Sequence, residues 1–261
     1  MMNKLLATLI LSVTASSAFA CSDERGWVTI ADTPLSPAYL PQGLSHDESG
    51  LILTLYSDVQ EPHVRLFRYD IEWTELNGTT DPLRHTSGIV PYNDYYFLID
   101  YETGLIAKAQ IDNNSFEILD SWDTGNDKIS SGFITRISDR DYLVVSVFGF
   151  FGEYLFFDTA TLNDEANTIE PEFRLPGSAF IQGNYSAGGG IYYETANQIG
   201  RDIINISTIT TEHGVQSRFG HSIDYPDRMI EDLTIFNGDI YTTDEKSFRL
   251  WRYSDGNCAN Q

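Results

Sequence analysis

Five polar side chains each stand directly ahead of a Gly or an Asp, at similar intervals along the chain. These polar residues are Gln42, Ser87, Ser131, Gln182 and Glu231. Amides, hydroxyls and carboxylates that converge in an apolar setting are typical of a small-ligand site. We therefore predict a ligand-binding ring of these five residues, with His85, Ser130 and Asp232 beside them. The alternative that the same groups only fill a narrow, wet channel stays open.

The acidic pair Glu231-Asp232 distinguishes the last of these positions, because the other four have no acid there. A carboxyl group that is partly removed from water has a raised pKa and can act as a general acid or base. Hard cations such as Ca²⁺ also prefer carboxylate, amide and backbone oxygens. Glu231 is thus the candidate catalytic residue, and Ca²⁺ is the one cofactor that the pattern suggests.

A repeat of strands is needed to bring these distant residues together. A Gly or Asp precedes an apolar strand at Leu51, Tyr95, Tyr142, Ile191 and Ile240, at intervals of 44, 47, 49 and 49 residues. Short β-branched and aromatic runs bounded by turn residues fill each interval. Such units of about 40 to 50 residues, arranged radially, predict an all-β fold, a five-bladed β-propeller whose first strands line the channel. The predicted blades span about 40–77, 84–123, 128–176, 179–220 and 226–256, and a β-sandwich is the alternative fold.

Closure of the ring can also be predicted. Residues 26–33 (GWVTIADT) have strand character but no partner of their own, and the last unit ends one strand short, near Tyr253. The N-terminal strand is therefore expected to complete the last blade. The two cysteines, Cys21 and Cys258, would then lie beside this seam, where they are expected to form a disulfide that joins the termini.

Residues 1–20 have the pattern of a secretory signal peptide, with Lys4, an apolar stretch and Ala18-Phe19-Ala20 before the cleavage site. Residues 21–261 would form a single domain that is exported to the periplasm or the extracellular space. No later stretch is long and apolar enough to predict a transmembrane segment. The alternative is a lipoprotein anchored through Cys21, and that anchor would compete with the disulfide.

The formal net charge of −22 argues against nucleic acid as a partner, because an acidic surface repels phosphates. Cations or basic partners are favoured instead. The chain has no nucleophile elbow, zinc-protease motif, C-x-x-C pair, P-loop or dinucleotide fingerprint. The sequence leaves the oligomeric state open, and a monomer is the expectation.

Two segments, Tyr39–Tyr69 and Pro226–Tyr253, resemble parts of the five-bladed glutaminyl cyclotransferase propellers of plants and bacteria. Gln42-Gly43-Leu44 matches the F-x-Q-G-L opening of that family. Glu231, Asn237-Gly238, Ile240 and Tyr241 match its N-E-L-E-Y-x-N-G-x-I-Y segment. The chain departs from the family at Ser87-Gly88 and Ser131-Gly132, where the family has E-G pairs that include a catalytic glutamate.

These patterns favour a binding module that recognises a small molecule, a glycan or an exported protein through the channel mouth and loops. The alternative is a small-molecule enzyme that uses Glu231 as its acid–base group. It would be either cyclotransferase-like, as the resemblance implies, or a metal-assisted hydrolase. The sequence leaves open whether the protein is catalytic.

Overall fold

The computed structural model of the protein describes residues 26–163, 167–188, 191–198, 201–210, 214–224 and 229–254. Within these ranges the chain is built from strands, with one 3₁₀ turn at Thr161–Asn163. No helix in the described part of the chain has the length and hydropathy of a membrane span. The strands are β1 (Gly26–Asp32), β2 (Leu40–Asp47), β3 (Gly50–Tyr56), β4 (Val64–Tyr69), β5 (Trp73–Glu75), β6 (Thr86–Tyr92), β7 (Tyr95–Asp100), β8 (Leu105–Asp112), β9 (Ser115–Asp123), β10 (Ile129–Ile137), β11 (Arg140–Val147), β12 (Glu153–Asp158), β13 (Phe173–Pro176), β14 (Ile181–Gly188), β15 (Ile191–Gln198), β16 (Arg201–Thr210), β17 (Gly214–Asp224), β18 (Ile230–Phe236), β19 (Asp239–Asp244) and β20 (Arg249–Ser254).

The strands form five four-stranded antiparallel sheets, and each sheet corresponds to one repeat unit of the sequence. Four sheets are consecutive meanders, β2–β5, β6–β9, β10–β13 and β14–β17, and the last has the order β1-β20-β19-β18. The first strand of each meander contacts the first strands of both neighbours, so that β2, β6, β10, β14 and β18 surround a common axis. The predicted all-β propeller arrangement is confirmed, and the β-sandwich alternative is wrong.

The N-terminal strand closes the last sheet, as the sequence predicts. Strand β1 pairs antiparallel with β20, and Gly26 lies opposite Ser254 in the register. This pairing brings the two ends of the described chain together. Cys21 and Cys258 lie outside the described residues, so the disulfide between them stays a prediction.

The hydrophobic core is divided into clusters between neighbouring sheets. Strand β3 (GLILTLY) is buried along almost its whole length because both of its faces are covered by adjacent blades. Each cluster combines residues of two adjacent sheets, such as Trp122 of β9 with Leu143 of β11, both fully buried. Aromatic rings connect other sheets, and Phe133 stacks on Tyr192 with 5.0 Å between ring centroids. Packing between blades therefore fixes how the inner strands face the axis.

The outer strands of the third and fourth sheets differ in length. The outer strand of the third sheet is the short segment Phe173–Pro176, whereas Ile169 packs into the core ahead of it. The fourth sheet extends to Asp224, beyond the predicted end at 220. Outer strands have one free edge and little burial, so their sequences constrain their ends weakly.

Candidate functional site

Every inner strand has an irregularity in its pairing at the same height along the axis. The register shifts lie between Pro41 and Leu44, Thr86 and Gly88, Ile129 and Ser131, Ile181 and Gly183, and Ile230 and Leu233. A β-bulge leaves a residue out of the ladder and turns its side chain in a new direction. The bulges of the inner strands contain Gln42, Ser87, Ser130, Gln182 and Glu231.

These bulge residues all line one cavity of about 180 Å³ at one mouth of the channel. The lining residues are Gln42, His85, Ser87, Tyr101, Ser130, Phe148, Gln182, Glu231 and Glu245. We call this cavity the bulge pocket. Six of the eight predicted site residues line it, and the two that do not are Ser131 and Asp232.

Asp232 lies on the channel axis instead of at the mouth. The equivalent residues of the other inner strands are glycines, and a Cβ added to Gly183 would come within 2.5 Å of the Asp232 Cα. The Asp232 carboxylate is buried, with Oδ2 accepting a hydrogen bond from Leu44 N at 2.9 Å and Oδ1 accepting one from Leu233 N at 2.8 Å. Burial raises the pKa of Asp232, and these N–H donors oppose the increase. Asp232 was predicted beside the ring, but it does not line the bulge pocket, because the glycines leave a space on the axis that its side chain fills.

Ser131 is likewise a buried structural group. Its Oγ accepts a hydrogen bond from Asn184 N at 2.9 Å. The bulge between Ile129 and Ser131 places Ser130 in the pocket, one residue ahead of the predicted position. Successive residues of a strand point to opposite sides, so a shift of one residue exchanges the two serines.

The hydroxyl groups of Ser87 and Ser130 connect neighbouring blades. Ser87 Oγ donates to the Ile129 carbonyl at 3.2 Å, and Ser130 Oγ donates to the Ile181 carbonyl at 2.8 Å. Their protons are therefore engaged within the protein. Both residues line the pocket, and Ser130 Oγ also lies 3.0 Å from Ser146 Oγ.

A chain of hydrogen bonds crosses the pocket from His85 to Glu245. The Gln42 amide nitrogen donates to Glu245 Oε1 at 2.6 Å and to the Pro41 carbonyl at 2.9 Å. Gln42 Oε1 is therefore the acceptor that faces His85 Nε2, at 2.8 Å. This arrangement places the imidazole proton on Nε2 and leaves Nδ1 as an acceptor.

The surroundings of His85 keep its imidazole neutral. The ring stacks on Tyr56, with 3.8 Å between centroids and an angle of 5° between planes. Burial lowers the pKa of His85 to about 4, although Asp100 and Asp58 oppose the decrease. The buried Asp100 also fixes the backbone here, since its Oδ2 accepts from His85 N at 2.6 Å.

Glu231 and Gln182 provide further polar groups of the pocket. Glu231 is only 7% exposed, and its backbone carbonyl accepts a hydrogen bond from Thr195 Oγ1 at 3.3 Å. Gln182 is half-buried and has no hydrogen-bonding partner for its side chain among the described residues. The Gln182 amide is thus available to a ligand, within a pocket that also contains a buried carboxyl group.

The sequence did not indicate Glu245, Tyr101 or Phe148, because none of them belongs to an inner strand. Glu245 follows β19 in a turn that Asp244 stabilises by accepting hydrogen bonds from the backbone N–H groups of Lys246 and Ser247. Burial raises the pKa of Glu245, although the hydrogen bond from Gln42 opposes the increase. A search for acids just after the second strand of each unit would have found Glu245.

Aromatic rings continue from His85 along one side of the pocket. Tyr101 lies 5.1 Å from His85 and 5.9 Å from Phe148, measured between ring centroids. Within the described residues, no group of three or more His, Cys, Asp or Glu side chains has the arrangement of a metal site. The pocket therefore combines two carboxyl groups, two amides and aromatic surface.

Comparison with known proteins shows similarity of fold alone. No family model matches the sequence, and no curated protein matches it. The structure is similar to that of a glutaminyl cyclase from Myxococcus xanthus, with a TM-score of 0.57 and 12% identity over 88% of this chain and 96% of that chain. It is also similar to a chain of a nidogen–laminin complex, with a TM-score of 0.51 and 15% identity over 80% and 73% of the two chains. The tail fibre of Staphylococcus aureus phage P68 has a TM-score of 0.52 at 12% identity, over 89% of this chain and 53% of that chain.

Proposed function

We propose that the protein is an exported propeller that binds a small organic cation in the bulge pocket. The observation that carries this proposal is the presence of Glu231 and Glu245 in one cavity with the amides of Gln42 and Gln182. The volume of about 180 Å³ suits a small amine, or the amino-bearing end of a glycan or of an exported protein.

Electrostatics favours a cation over an anion at this position. The pocket lining contains no Lys or Arg, and the whole chain has a formal net charge of −22. Tyr101 and Phe148 add aromatic surface, on which an ammonium group gains cation–π attraction. The neutral His85 adds no opposing charge above a pH of about 4.

Ethanolamine is a suitable first probe, and we expect its affinity to fall about 10-fold or more in Glu231→Gln and in Glu245→Gln. Each substitution removes one charge-assisted hydrogen bond, which contributes about 1.5 to 3 kcal/mol. Isothermal titration calorimetry measures the loss. Affinity should also fall as the pH is lowered, because protonation removes the carboxylate charge, and burial raises the pKa at which Glu245 takes up its proton.

Glu48→Gln is the matched control, since Glu48 is exposed in the turn after β2 and does not line the pocket. It removes the same charge and should leave the affinity unchanged. An equal loss in all three variants would attribute the effect to net charge and contradict the proposed site. Titration with Ca²⁺ tests the inorganic alternative, and Ca²⁺ competition with ethanolamine would favour a metal-assisted role.

An enzymatic role is the second candidate, and the burial of Glu231 within the pocket favours it. A desolvated carboxyl group of this kind can transfer a proton to or from a bound substrate. Peptides with N-terminal glutamine and simple esters are the substrates to screen. Turnover that Glu231→Gln abolishes would establish the enzyme, and binding without turnover would support the binding module.

Export and the terminal disulfide belong to the same proposal. The pairing of Gly26 with Ser254 supports the bridge, because Cys21 and Cys258 lie only a few residues beyond these ends. Ellman titration of the denatured, unreduced protein is expected to find no free thiol. One free thiol together with a lipid mass on the N-terminal residue would indicate the lipoprotein instead, and two free thiols would contradict both.

A further inference from the structure

A row of phenylalanine rings leads from the bulge pocket to the protein surface. Phe148 lines the pocket, and its ring lies 5.6 Å from the ring of Phe180, measured between centroids. Phe180 in turn lies 6.1 Å from Phe150, and Phe150 lies 5.2 Å from Phe151. We call these four residues the phenylalanine row. The row extends the aromatic side of the pocket that begins at His85.

The outer end of the row is exposed to water. Phe150 is 72% exposed, and Phe151 is 87% exposed. Neither ring belongs to a hydrophobic core cluster of the described chain. The free energy that burial of these rings would provide is therefore not used by the fold. An apolar surface that adjoins a polar cavity is typical of a binding site.

Backbone hydrogen bonds hold the hairpin between β11 and β12 that carries the two exposed rings. Phe180 N donates to the Gly149 carbonyl at 2.9 Å, and Gly177 N donates to the Gly152 carbonyl at 2.8 Å. Both ends of the hairpin are thus tied to the segment that leads into β14. A ligand would not have to order this loop, so contact with the rings is not offset by that cost.

Acidic side chains occupy the other loops of the same mouth. Asp58 and Glu102 lie in the loops after β3 and β7, and Glu245 lies in the turn after β19. Burial raises the pKa of Tyr56, and the charges of these three acids raise it further. Since Tyr56 stacks on His85 of the pocket lining, the three charges lie beside the pocket. The described lining contains no Lys or Arg that would neutralise them.

We propose that the preferred ligand of the bulge pocket is an arylalkyl amine, a primary amine whose alkyl chain ends in an aromatic ring. The inference rests on the proposed function and specifies the ligand. The ammonium group lies beside Glu245, and the ring packs on Phe180 and Phe150. Those two rings already meet edge to face, at an angle of 76°, and a third ring can extend this arrangement. Charge thus selects one end of the ligand, and the phenylalanine row selects the other.

Isothermal titration calorimetry of the full protein with 4-phenylbutylamine and butylamine tests the inference. The two amines have the same chain and charge, and only the first carries a ring. 4-Phenylbutylamine should bind the wild type about 10-fold more tightly than butylamine, because its ring leaves water at the phenylalanine row. The ratio of the two affinities should fall to about 2-fold or less in Phe150→Ser.

Ile71→Ser is the matched control, because Ile71 is 74% exposed and lies in the turn between β4 and β5, away from the pocket lining. It removes a similar exposed apolar side chain and should keep the ratio of the wild type. 4-Phenyl-1-butanol has the ring but no ammonium group. It should bind about 10-fold more weakly than 4-phenylbutylamine, because it forms no charge-assisted hydrogen bond.

The outcomes separate this inference from the proposed function. If ethanolamine and butylamine bind but 4-phenylbutylamine binds no more tightly, the pocket holds a cation without help from the row, and only this inference is overturned. An equal fall of the ratio in Phe150→Ser and Ile71→Ser would also overturn it. Absence of binding by all three amines would contradict the inference and the proposed function together.

Discussion

Replacing Asp232 by Gly is expected to lower the free energy of unfolding by about 3 to 5 kcal/mol. The substitution makes the fifth inner strand match the other four, which have Gly at this position. It nevertheless removes the side chain that fills the axis. Leu44 N, which now donates to Asp232 Oδ2 at 2.9 Å, would lose its partner in a buried place.

The expected loss has three physical components. An unsatisfied buried N–H costs about 1 to 3 kcal/mol, and the empty volume on the axis costs about 1 kcal/mol or more. The added backbone freedom of Gly in a strand costs about 0.5 to 1 kcal/mol. Urea unfolding followed by circular dichroism measures the sum.

Two further variants distinguish the axial contacts from general effects of the substitution. Asp94→Gly removes an exposed acid from a hairpin turn, and we expect a change below about 0.5 kcal/mol. Asp232→Asn keeps the volume but turns an amide donor toward backbone donors, so a loss of about 2 to 3 kcal/mol is expected. If Asp232→Gly is as stable as the wild type, the carboxylate does not hold the axis.

The sequence predicted the repeat and its closure because both depend on whole strands. An error of one or two residues in the bounds of a strand does not change either prediction. A run such as Leu51–Leu55 has apolar residues on both faces, with Thr54 as its one polar member, which is typical of an interior strand. The only unit that lacked a strand was the last one, so segment 26–33 was expected to pair there, and β1 does pair with β20. The apolar pattern and the strand count were thus enough to predict which strands form and how they pair.

To predict the site, the direction of each side chain must be known to the exact residue, and a comparison of repeat units does not provide this. A bulge displaces the register by one residue, and this exchanged Ser130 for Ser131 in the pocket. Asp232 was predicted beside Glu231 at the mouth, although neighbouring residues in a strand point in different directions. Glu245 comes from a turn, where only the structure shows that Gln42 reaches it.

The stability of the protein is expected to depend on His85 between a pH of about 4 and 6.5. The folded protein holds this imidazole neutral, because burial lowers its pKa to about 4. The unfolded chain protonates the same side chain near its ordinary pKa of about 6.5. In this window the unfolded state binds more protons, so the free energy of unfolding decreases as the pH falls. His85 contributes about 3 kcal/mol to the free energy of unfolding. This contribution is fully present above a pH of about 6.5 and is lost as the pH falls to about 4.

Urea unfolding of the wild type and of His85→Gln at a series of pH values separates the contribution of His85 from the contributions of the many carboxyl groups. The advantage of the wild type over His85→Gln should shrink by about 3 kcal/mol between a pH of about 7 and 4. The stability advantage of the wild type over Glu245→Gln should change with pH in the opposite direction. Burial raises the pKa of Glu245. The wild type therefore loses stability through this group as the pH rises above the ordinary pKa of a glutamate side chain. An advantage over His85→Gln that does not vary with pH would mean that the imidazole is as free to protonate in the folded protein as in the unfolded chain.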